Sequence, residues 1–88
     1  MEKRVSKWGV VPFRGIDNEN LEFLIVSTKN GNWGLPKGNL MKKLGSKGTA
    51  LQEAYEEAGI IGSVVDQKVS TKIKGKRMAF YPMEVKNE

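Results

Sequence analysis

Residues 34–60, GLPKGNLMKKLGSKGTALQEAYEEAGI, restrict what this chain can become more than any other stretch. Trp33-Gly34-Leu35-Pro36-Lys37-Gly38 is too rich in Gly and Pro for regular structure, and residues 39–45 read as a loop. A helical period follows. Leu51, Ala54, Tyr55 and Ala58 recur at core spacing, while Glu53, Glu56 and Glu57 lie three and four residues apart on the opposite face. Ser46 is placed to cap this helix and Gly59 to end it in a left-handed conformation, which predicts a helix over 46–58. Carboxylates crowded on one face repel one another, and a divalent cation removes that penalty. The spacing alone leaves a metal site and a solvated acidic face level.

The flanks are strand-like. Residues 4–13, RVSKWGVVPF, are β-rich, and 14–20 form a polar turn or loop. Residues 21–28, LEFLIVST, are apolar on both alternating sets and predict one strand buried on both sides. Residues 29–32 read as a turn. Beyond the helix, residues 64–73 and 77–85 predict two strands joined in a hairpin at Lys74-Gly75-Lys76, with Pro82 marking an edge or a bulge. Trp8, Phe13, Phe23 and Phe80 are expected in the core. The order β-β-loop-α-β-β describes a layered α/β (α+β) domain over residues 1–88.

Composition narrows the chemistry. The chain has no Cys and no His, which removes disulfides, thiolate and imidazole metal sites, and histidine catalysis. A resident metal would be hard and held by oxygen, Mg²⁺ or Mn²⁺ before Ca²⁺. No apolar run reaches membrane-spanning length, so no membrane partner is expected and the chain reads as cytoplasmic. A net charge of +5 favours anionic partners. Three of the acids gather in the helix, whereas Lys37, Lys42, Lys43, Lys47 and the run Lys72, Lys74, Lys76, Arg77 lie elsewhere. That division suits a phosphate ester bound through a cation, although lysines at loops and strand edges also serve solubility alone.

The Gly-rich loop feeding a Glu-bearing helix resembles the Nudix box, G-x5-E-x7-R-E-U-x-E-E-x-G-U, with U aliphatic. Gly38, Glu53, Ala54, Glu56, Glu57, Gly59 and Ile60 occupy their places, while Leu44 and Gln52 stand where the box has Glu and Arg. WGVVPFR, LEFLIVSTK, NWGLPKG, AYEEAGIIGSV and FYPMEV further resemble the diphosphoinositol polyphosphate phosphohydrolase-like branch. The resemblance implies an α/β/α sandwich with a mixed sheet, here abbreviated after residue 60 and without the usual second helix. It implies Mg²⁺- or Mn²⁺-dependent hydrolysis of a nucleoside or inositol diphosphate linked to another group. Carried over, Glu53, Glu56, Glu57 and the Lys37 carbonyl hold the metal. Glu56, with Glu53, is catalytic. Lys29, Lys37, Gly38, Lys7 and Arg77 contact substrate, with Ser27, Thr28 and Lys76 as lesser candidates.

The same resemblance shapes the remaining expectations. Gln52 can donate a hydrogen bond but carries no charge, and Leu44 removes a carboxylate, so retained metal binding with reduced turnover is expected. A sheet face without its second helix needs cover, which predicts a homodimer. The alternative functions are a degenerate Nudix domain that binds nucleotide or polyphosphate as a sensor or regulator, and a small basic nucleic-acid binder using Lys72–Arg77 and Phe80. Nucleic acid is not the expected partner; a phosphorylated small molecule is.

Overall fold

The computed structural model describes residues 4–15, 20–24, 26–27 and 33–86. In chain order the elements are β1 (Val5–Gly15), β2 (Leu21–Phe23), β3 (Val26–Ser27), β4 (Trp33–Gly34), β5 (Lys37–Gly38), α1 (Gly45–Ala58), β6 (Gly62–Val64), β7 (Val69–Ile73) and β8 (Lys76–Val85). The two long strands, β1 and β8, form the centre of a mixed sheet and run parallel. β2 and β5 pair with β1, and β6 and β7 with β8, all antiparallel, while β3 and β4 make a separate ribbon. Parallel neighbours need a long crossover, and α1 lies within it. The result is the expected α+β architecture, with one helix on one face of the sheet among the described residues.

β8 lies inside the sheet, and Pro82 is accommodated there by a change of partner. β7 pairs with residues up to Phe80 and β6 begins pairing at Met83, so Pro82 falls between them. Its carbonyl accepts the Val65 N–H at 2.8 Å. The N–H and C=O of one strand residue point to the same side, so the hydrogen that proline lacks would have faced that junction and not β1. The expected strand over 64–73 is accordingly two strands, β6 and β7, separated at 65–68. The predicted hairpin between β7 and β8 is present. Lys74 and Gly75 both have positive φ, 52° and 81°, as a tight two-residue hairpin turn requires.

Small side chains bring α1 onto the sheet. Thr49, Ala50 and Ala54 are fully buried, and Ala50 and Ala54 pack with Val10, Tyr81 and Met83. Leu51 is half-buried against this cluster, but Tyr55 is 58% exposed and not part of the core face. The helix rests on its alanine stripe, and Tyr55, one residue round from Ala54, is turned outward. Gly59 ends the helix at φ 68°, its N–H bonded to the Tyr55 carbonyl. The start differs from expectation. Leu44 precedes the helix without a side-chain cap, the Met41 carbonyl accepts the N–H groups of Leu44 and Gly45, and Ser46 inside the first turn meets the Tyr81 hydroxyl at 2.8 Å.

Three other expectations need correction. The described residues of 21–28 do not form one strand: β2 pairs with β1 and β3 with β4, and the Leu24 N–H goes to the Pro12 carbonyl. Phe23 is 65% exposed at the sheet margin, meeting the Phe13 ring at 6.5 Å on the face away from α1, whereas Phe80 is buried as expected. The Gly-Pro segment also contains short strand pairings, because β4 and β5 each find a partner for two residues. The turn expected at 29–32 lies outside the described residues.

Candidate functional site

Strand β5 fixes the site through the direction of its peptide groups. The Pro36 carbonyl turns toward β1 and accepts the Val10 N–H at 3.2 Å. Successive strand residues alternate, so Lys37 presents its peptide groups to the other side. There its N–H donates to Glu57 Oε1 at 2.8 Å. The Lys37 carbonyl is therefore directed to the helix side as well.

Gly38 brings the second carboxylate in. A Cβ at this position would collide with Glu53 Oε2, so the missing side chain is what lets Glu53 rest on β5. Glu53 and Glu57, one turn apart on α1, thus settle against two consecutive strand residues. Both are half-buried. Glu56 is exposed and accepts a hydrogen bond from Gln52 Nε2 at 2.8 Å. Gln52, expected to orient the neighbouring glutamate poorly because it carries no charge, donates its hydrogen bond to Glu56.

The acidic trio does not gather into one group. Among the described residues, no three His, Cys, Asp or Glu side chains converge closely enough to hold a metal ion. Helical geometry explains the division: Glu53 and Glu57 lie along the line that crosses β5, and Glu56 is rotated about 100° from Glu57 toward solvent. The donors nevertheless suit a hard divalent cation in kind, being carboxylate and carbonyl oxygens.

The loop after Gly38 is tied to the helix by Thr49, a residue sequence reasoning did not select. Its buried Oγ1 accepts the Met41 N–H at 2.9 Å and donates to the Gly45 carbonyl at 2.7 Å. Only the tendency of a helix threonine to bond the carbonyl four residues back could have signalled this. Lys7 reaches the same loop, donating to Asn39 Oδ1 at 2.9 Å. Arg77 stands farther off, on β8 opposite Val5 and Lys72, with its Nε buried and without a hydrogen-bond partner. Lys29 and Thr28 lie outside the described residues, as does the side chain of Ser27; Lys76 is exposed at the hairpin turn.

This arrangement of strands around one helix has solved counterparts. The structure superposes on an Ap4A hydrolase from C. elegans in a binary complex with a TM-score of 0.71 and 21% identity, covering 94% of this chain and 67% of that one. A second C. elegans Ap4A hydrolase structure gives 0.59 and 23%, covering 92% and 66%. The fold is Nudix-like. At these identities the likeness establishes fold alone, and the chain spans about two thirds of the length of both structures. No family model and no curated protein matches the sequence. In this Nudix-like frame, Gly38, Glu53 and Glu57 occupy the junction where the glycine loop meets the helix.

Proposed function

We propose that this chain is a divalent-metal-dependent Nudix-type pyrophosphohydrolase acting on a nucleoside or inositol diphosphate linked to another group. One observation carries the reading: Glu53 and Glu57 are seated side by side on β5, the first against Gly38 and the second on the Lys37 N–H. Glu53, Glu57 and the Lys37 carbonyl would hold Mg²⁺ or Mn²⁺. When bound, such a cation neutralises phosphate charge and acidifies water. Phosphoryl transfer depends on positioning and charge neutralisation, and the chain's own residues contribute both. Glu56, exposed and steadied by Gln52, orients the attacking water and accepts its proton. Lys7 and Lys37 attract the phosphates. The structural neighbours are named for hydrolysis of Ap4A, so a dinucleoside polyphosphate joins the candidate substrates.

The test is product formation from diadenosine polyphosphate, ADP-ribose and inositol pyrophosphate with Mg²⁺ or Mn²⁺, beside Glu56→Gln and Glu57→Gln. Hydrolysis that needs the cation and is lost in both variants supports the reading; turnover unaffected by either variant overturns it. The division of the acidic trio favours a second reading, in which nucleotide or polyphosphate is bound without turnover. Cation-dependent thermal stabilisation by a substrate with no product would select it.

The same reading includes a second copy of the chain as partner. Phe23 and Val69, 65% and 61% exposed, lie on the sheet face opposite α1. Light scattering at micromolar concentration should report a dimer, and a monomer would remove this part.

A further inference from the structure

The sheet face that carries α1 continues past the first turn of the helix into a cavity of about 610 Å³ lined by Arg4, Val5, Ser6, Trp8, Leu40 and Lys42. That size lies within the range of small-molecule sites. An irregularity in β1 borders it. The register against β8 slips between Val5 and Lys7, so Ser6 is an extra residue and Val5 and Trp8 both face the α1 side.

Trp8 is a prepared surface. Its ring stacks on Tyr81 with centroids 6.2 Å apart and planes 21° apart, and Tyr81 is held in turn by Ser46 at 2.8 Å. Cations surround it. Arg4 and Lys42 are exposed at the cavity, and Lys68 Nζ stands 5.9 Å from the Trp8 ring centre. Arg77 lies across from Val5 on the same face but is not among the residues that line the cavity. Among the described residues, none that lines the cavity is acidic. Trp8 is also the cross-strand partner of Gly38, against which Glu53 rests, so the cavity begins one strand away from the carboxylates.

We propose that this cavity binds a nucleoside monophosphate group, its base against Trp8 and Leu40 and its phosphate between Arg4 and Lys42. A flat aromatic wall suits a heterocycle, which stacks on indole, and the flanking cations suit the phosphate. An inositol phosphate would use the cations and leave the ring idle. The proposal deepens the hydrolase reading and rests on it in one respect: the bound group is the far end of a substrate whose diphosphate lies at β5.

The experiment is a titration with AMP in EDTA, followed by the fluorescence of Trp8 in a Trp33→Phe background and by calorimetry on the unaltered chain. Saturable binding is expected, weakened about tenfold or more by Arg4→Glu with Lys42→Glu, with adenosine and ribose 5-phosphate each about tenfold weaker than AMP. Both substituted side chains are exposed, so circular dichroism should be unchanged. Absence of AMP binding, binding indifferent to the charge reversals, or ribose 5-phosphate binding as well as AMP overturns the assignment. The readout needs neither metal nor turnover. Hydrolysis without AMP binding would overturn the cavity assignment alone, and AMP binding without hydrolysis would overturn the hydrolase reading alone.

Discussion

The corner where α1 meets β5 and the hairpin of β7 and β8 are built on opposite terms. At the corner, Glu57 holds a backbone N–H, Glu53 lies against the bare Cα of Gly38, and buried Thr49 fastens the loop between them. In the hairpin, every residue of β7 is exposed, and the turn at Lys74-Gly75 sets the pairing. The corner depends on contacts between residues distant in sequence and the hairpin on local backbone preference. Substitutions at the corner should therefore disturb both stability and chemistry, and those in the hairpin mainly a local turn.

The sharpest way to break this contrast is Gly38→Ala. The new methyl group collides with the Glu53 carboxylate and should cost about 3 kcal/mol, with loss of cation-dependent thermal stabilisation. Urea unfolding and melting with and without Mg²⁺ would measure both effects. Thr49→Val keeps the shape but leaves the Met41 N–H and the Gly45 carbonyl without their hydroxyl, at a cost of about 2 kcal/mol in the same unfolding assay. A gain is expected from Gln52→Arg combined with Leu44→Glu. If weak support of Glu56 limits turnover, product release should rise about tenfold, which is about 1.4 kcal/mol of barrier. No gain with any substrate would show that these two positions do not limit rate. In the hairpin, Gly75→Ala forces a side chain into φ 81° and should cost about 1 kcal/mol without changing hydrolysis. A hydrolytic defect there would dissolve the distinction between the two regions.

Much of this was legible in the chain because it was local. The helix at 45–58, its end at Gly59 and the turn at Lys74-Gly75 follow from periodicity and backbone conformation at single positions. The Nudix-like fold was readable only through the resemblance of the glycine loop and the glutamate spacing to a known family pattern. What escaped was set by distant partners. Ser46 had the chemistry of a cap, but the Met41 carbonyl already met the first N–H groups and the hydroxyl went to Tyr81, 35 residues away. Tyr55 had core spacing, yet the helix settled on its alanines. The segment 21–28 had the composition of one buried strand, but β2 and β3 found different partners. At the site, spacing placed the glutamates on one helix; only the position of β5 decided which two would meet it.

Pro82 has a bearing beyond local accommodation. It divides one flank of β8 into two short berths, filled by three residues of β6 and five of β7. No single ribbon can lie along that flank without interruption, so neither outer strand extends into a long flat margin. A five-residue β7 and a three-residue β6 are poor templates for open-ended stacking. The proline thus limits fibrillar growth in a small basic protein whose sheet margin stays in contact with water.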